Sequence, residues 1–122
     1  MPYIAPHART EFDPLIDALA RRIALQAEAD GQDGAFAGSL NYCCTRLALQ
    51  VVRLRFGKMR YWLIALITGT FQNISEEFYR RVAIPYEEKQ IEKNGDVDLY
   101  RHFVDEMGDN LRPGAGRDPD RV

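Results

Sequence analysis

Two helix-forming stretches of this 122-residue chain carry apolar side chains around more than one face, and that constrains the fold more than any motif does. From Ser39, read as an N-cap, to Phe56, one stripe runs Leu40, Cys43, Cys44, Leu47, Val51 and Leu54 at three- and four-residue steps. Leu49, Val52 and Phe56 make a second strip. From Met59 or Tyr61 onward, Leu63, Leu66, Thr70, Ile74, Phe78 and Val82 form another stripe, widened by Trp62, Ile64, Ile67 and Phe71. A small single domain has too little interior to surround two such helices, so part of this surface is expected to lie between subunits.

The rest of the chain punctuates in the same helical idiom. Met1 to Pro6 reads as an extended arm, because Pro2 and Pro6 restrict their own backbone and that of the residues before them. A first helix is expected from about Phe12 to Ala29, with Thr10 as N-cap and the stripe Phe12, Leu15, Ile16, Leu19, Ile23 and Ala27. Pro14 is tolerable there only near the helix start. Asp30 to Gly34 is a loop by its glycines, and Gly57 is a stop for the second helix. The third helix is expected to be long and bent near Pro85, whose ring nitrogen has no hydrogen to bond back to Arg81. Asn94-Gly95 ends that pattern. Asp96 is placed to cap a short last helix with Leu99, Phe103 and Met107 facing inward and Gly108 at its end. No segment alternates as a strand would. The expected fold class is all-α: a bundle of three main helices plus a short C-terminal one in a single domain over residues 1–108, with a disordered tail at 109–122.

Charge is distributed unevenly along this frame. Gly34 to Ser75 contains no Asp or Glu but holds Arg46, Arg53, Arg55, Lys58 and Arg60, a net +5 inside a chain of net −2. An anionic partner would be sought at that cationic middle. Arg46 and Arg53 share one side of the second helix while Arg55 points elsewhere, and Tyr61 and Trp62 are near enough in sequence to stack on a base. The acidic whole-chain balance argues against duplex nucleic acid, which usually selects an overall basic footprint.

Few residues are arranged for catalysis. Cys43 and Cys44 are adjacent, about 100° apart on a helix, and read as small reduced packing residues of a cytosolic protein. His7 and His102 are the only histidines and have no metal-ligand spacing. No phosphate loop, nucleophile–base pair, leader or membrane-length apolar run is present, so neither cofactor nor metal nor membrane contact is expected. Two polar constellations remain. Asn41 and Thr45 fall four apart on one helix face with Tyr42 beside them, either a hydrogen-bonding pocket or simply a helix start. Tyr79, Arg80, Arg81 and Tyr86 place guanidinium forks among phenols, a set able to grip phosphate or carboxylate. The competing reading is a solvated face with Glu76–Arg80 and Glu77–Arg81 ion pairs.

Several segments together resemble a family of small proteins of unknown function found in bacteriophages, prophages and bacteria. They are Met1-Pro2-Tyr3-Ile4, Phe12-Asp13-Pro14-Leu15-Ile16, Leu40-Asn41-Tyr42 with Thr45, Arg60-Tyr61, Glu77-Phe78-Tyr79-Arg80-Arg81-Val82, Pro85-Tyr86-Glu87 and Asn94-Gly95-Asp96-Val97. The resemblance covers residues 1 to about 97 and implies kinship without an activity. Ser39 stands where the family pattern has an acidic residue, and Trp62, Leu63 and Ile64 stand where its next helix begins polar and acidic. Those apolar replacements favour an interface. The combined expectation is a non-enzymatic accessory binding protein of phage type, cytoplasmic in a bacterial host and homo-oligomeric. It would sequester a small anionic or nucleotide ligand through Asn41, Tyr42, Thr45, Tyr79, Arg80, Arg81 and Tyr86. The alternative is a protein–protein interaction module that inhibits a host factor.

Overall fold

A computed structural model of the chain describes residues 3–110. All of its regular elements there are helical, as the periodicity requires: α1 (Pro6–Asp30), α2 (Phe36–Phe56), α3 (Tyr61–Phe78), a π turn (Tyr79–Ala83), α4 (Ile84–Asn94) and α5 (Asp98–Asn110). This is an all-α chain consistent with a helical bundle. Its contacts divide into two compact units, Met1–Glu76 and Glu77–Val122. The tail expected beyond α5 lies outside the described residues.

In the first unit, α1 begins earlier than its apolar stripe suggested. Ala5 is extended and Pro6 occupies the first helical turn, where its fixed φ is already helical and its missing amide hydrogen has no intrahelical role. Thr10 is therefore not a cap; its hydroxyl donates to the His7 carbonyl at 2.7 Å from inside the helix. Pro14 likewise sits in the helix interior and not at its start. Gly31 stops α1 at φ 72°, its amide donating to the Glu28 carbonyl. A turn closed by Ala35 N–H to Gln32 C=O feeds directly into α2, so the helix starts at Phe36 and Ser39 lies one turn inside it instead of capping it. Gly57 ends α2 at φ 79°, its amide shared between the Val52 and Arg53 carbonyls. α1 and α2 pack on each other, and the Phe56 and Trp62 rings meet edge-to-face at 5.2 Å across the turn into α3.

The second unit is built around Pro85. The Ile84 amide reaches back to the Tyr79 carbonyl, a five-residue step that widens the helix over Tyr79–Ala83. Pro85 then falls in the first turn of α4, and without an amide hydrogen it leaves the helical carbonyls just upstream one donor short. Gly95 terminates α4 at φ 84°. Asp96 does not cap α5 in the usual manner: its carboxylate accepts from the neighbouring Val97 amide at 2.7 Å, and the helix runs on through Gly108. Leu99, Phe103 and Met107, expected to face inward, are exposed.

Burial is the main departure from an ordinary domain. Among the described residues only Val52 and Leu63 are buried, at 5% and 4% of full exposure. The predicted stripes exist as stripes, yet Leu15, Ile16 and Leu19 on α1, Leu40, Leu47 and Leu54 on α2, and Leu66, Ile74 and Phe78 on α3 all remain exposed.

Candidate functional site

The polar trio of α2 forms in part as the spacing predicted. Thr45 donates its hydroxyl to Asn41 Oδ1 at 3.4 Å, one turn apart on the same face. Tyr42 is exposed and lies with Thr45 on a different cavity wall from Asn41. Asn41 and Thr45 border an open hollow with Phe36, Leu40, Cys44 and Phe71.

Tyr42 and Thr45 instead join residues that the sequence marked for charge and left out of the site. They line a cleft of about 460 Å³ with Arg46, Leu49, Gln50, Val52, Arg53, Gly57, Lys58 and Met59. The signal was present in the spacing. Tyr42, Arg46, Leu49 and Arg53 recur at four-, three- and four-residue steps, and Gly57 turns the chain so that Lys58 closes the end. No acidic residue borders the cleft, and Arg46, Arg53 and Lys58 form no ion pair among the described residues. Arg55 points elsewhere, as its position implied: its guanidinium lies 5.1 Å from the centre of the Phe56 ring. Trp62, considered for base stacking, is engaged with Phe56.

The other four sequence-selected residues, Tyr79, Arg80, Arg81 and Tyr86, belong to the second unit. Arg81 approaches Glu77 at 3.9 Å in the predicted four-residue pairing, an exposed guanidinium beside a half-buried carboxylate, worth about 0.2–0.5 kcal/mol. The Glu76–Arg80 pair does not form. The wider winding over Tyr79–Ala83 takes i+4 positions out of direct register, and the surviving contact is correspondingly long. Tyr79 turns its hydroxyl onto Glu87, donating to the carboxylate at 3.2 and 3.5 Å. The Glu87 charge, and then the hydrogen bond to it, hold the Tyr79 phenol above its usual ionisation range, because a phenolate there would face a carboxylate. Tyr86 is exposed beside Glu87 in sequence. The structure thus joins Asn41 to Thr45 and Tyr42 to Arg46 and Arg53, while Tyr79 and Arg81 are each already partnered by an acid.

An apolar groove of about 510 Å³ runs between α1 and α2, walled chiefly by Ile16, Leu19, Ile23, Leu40, Cys43 and Leu47. Cys43 and Cys44 are free thiols, the first half-buried and the second exposed. Among the described residues no three His, Cys, Asp or Glu side chains converge closely enough to hold a metal ion, and no helix is long and apolar enough to cross a membrane.

Residues 1–97 match the family described as Domain of unknown function (DUF6899), and the chain belongs to that family. No curated protein and no solved structure matches it.

Proposed function

We propose that this family member is a non-enzymatic binding protein that works as an assembly of identical chains, with the apolar faces of α1 and α2 as the surface between copies. One observation carries the proposal: the single chain buries only Val52 and Leu63 among its described residues. Its accessible surface is 11654 Å². Two compact bodies of the size of its units would together expose about 8,000 Å². The chain exposes about 3,600 Å² more than that. A standard stable interface takes about 800 Å² from each partner, and an obligate one takes more. The excess is therefore of the size that a second copy covers.

The continuous groove between α1 and α2 supports placing the contact there, since it is almost wholly apolar and a two-fold pairing would lay the same stripe against itself. The phage setting and the bacterial cytoplasm belong to the same proposal, as does the absence of catalysis.

Sedimentation equilibrium on the full chain tests it. A dimer or larger assembly that persists at micromolar concentration supports the reading. A monodisperse monomer overturns it and assigns the same face to a different occupant, a host protein, as in an inhibitory interaction module.

A further inference from the structure

We infer that the cleft along α2 and the Gly57 turn is a binding site for a small phosphate-bearing anion of the nucleotide class. Arg46, Arg53 and Lys58 border one cavity, and no carboxylate neutralises any of them among the described residues. Three unpaired cations around one hollow repel one another unless an anion lies between them. Two of the three are guanidinium groups, whose planar forks bond phosphate oxygens in pairs. Arg46 and Arg53 are seven residues apart, about 10.5 Å along the helix axis, so long side chains converging from two turns suit a di- or triphosphate better than a single small ion.

The remaining wall suits a nucleoside. Tyr42 stands one turn before Arg46 with its ring exposed, and phenol rings stack on bases. Leu49 and the buried Val52 give an apolar floor. Gln50 carries both a donor and an acceptor, and Thr45 keeps acceptor capacity after donating to Asn41.

This site is independent of the proposed interface. By helical geometry, Tyr42, Arg46, Leu49 and Arg53 are centred about 120° around α2 from Leu40, Cys43 and Leu47, and the two linings share no residue.

Isothermal titration calorimetry of the full chain with ATP, inorganic pyrophosphate and adenosine tests the inference, with sedimentation run on every variant. ATP is expected to bind more tightly than pyrophosphate, and adenosine most weakly, with affinity falling as salt rises. Arg46→Ala and Arg53→Ala should each weaken ATP by about ten- to a hundredfold, the effect of removing a charge-assisted hydrogen bond. Arg46→Lys and Arg53→Lys, which retain charge and fold, should recover part of the affinity. Tyr42→Ala should weaken ATP and leave pyrophosphate unchanged. The inference is overturned if neither ATP nor pyrophosphate binds at millimolar concentration, or if the double Arg46→Ala, Arg53→Ala variant binds ATP as the parent does. It is also overturned if a single-stranded oligonucleotide binds far more tightly than ATP, which would make the cleft a nucleic-acid groove. Sedimentation of the arginine variants at the parent's subunit number separates this outcome from failure of the assembly reading.

Discussion

Leu47 offers the sharpest test of the proposed contact between copies. It lies in the α1–α2 groove, and 63% of it is still open to solvent in the single chain. Fully burying a leucine side chain is worth about 1.5–3 kcal/mol, so covering the open part contributes about 1–2 kcal/mol. A two-fold interface uses the residue twice. Leu47→Ala should therefore weaken a dimer by about 2–4 kcal/mol, roughly thirty- to almost a thousandfold in dissociation constant. Leu47→Glu should go further, because two carboxylates would be brought into an apolar seam without partners. Because the side chain is exposed in the single chain, neither substitution leaves a cavity within a subunit, and far-ultraviolet circular dichroism at concentrations where the variant is still assembled should show the helices intact. Sedimentation equilibrium across a concentration series gives the constants directly. Identical constants for parent, Leu47→Ala and Leu47→Glu would refute the placement of the interface in this groove even if the protein is an oligomer.

Three further expectations are local. Pro14 interrupts α1 from inside, removing the amide bond to the Thr10 carbonyl and crowding it, so Pro14→Ala should stabilise the helix by up to about 3 kcal/mol; an unchanged or lower thermal midpoint would contradict this. Gly57 holds φ 79° with nothing within 4 Å of the position a β-carbon would take, so Gly57→Ala should cost about 1–2 kcal/mol through backbone strain alone, visible as a lowered midpoint in thermal unfolding. The Tyr79 phenol ionises above its usual range because of Glu87, so its contribution to folding is present below the ordinary tyrosine range and is lost as pH rises through the elevated value. Glu87→Gln should bring the Tyr79 titration back down, as followed by carbon-13 resonances of the tyrosine rings, and an unmoved Tyr79 curve would contradict the cause.

Helix identity and most helix ends were legible because they rest on local chemistry. Gly31, Gly57 and Gly95 each terminate a helix at positive φ, where the sequence placed stops. Helix starts were less legible, since Thr10 and Ser39 are good capping residues that lost to competitors. Pro6 pre-sets a helical φ four residues ahead of Thr10, and a turn at Gln32–Ala35 leads straight into α2 before Ser39 is reached. The π turn had no sequence signature beyond Pro85, whose effect is felt upstream, at the carbonyls it cannot bond. For the site, the Asn41–Thr45 contact was readable because it is a same-helix, four-residue relation. Grouping Tyr42 with Arg46 and Arg53 is equally readable from their four-, three- and four-residue spacing through Leu49, although charge alone does not single out Tyr42. What spacing does not disclose is that Tyr79 prefers Glu87, eight residues on, to an outside ligand.

The exposed stripes also bear on how this chain is stable at all. A unit whose described helices bury only Val52 and Leu63 lacks the apolar burial that offsets conformational entropy in a domain of its size. If the second copy supplies that burial, folding and association are one equilibrium between an assembled native state and unfolded single chains, and stability becomes a function of concentration. For a dimer, each tenfold rise in total protein should add about 1.4 kcal/mol per mole of dimer to the apparent stability, so the thermal midpoint should climb steadily through a dilution series. A chain that is stable by itself would melt at one temperature at every concentration. Leu47→Glu should then melt lower than the parent at every concentration studied, because it removes burial that the isolated chain has no means of replacing. An anion in the cationic cleft would act on the same equilibrium from a separate face of α2, raising the midpoint only when Arg46 and Arg53 are in place.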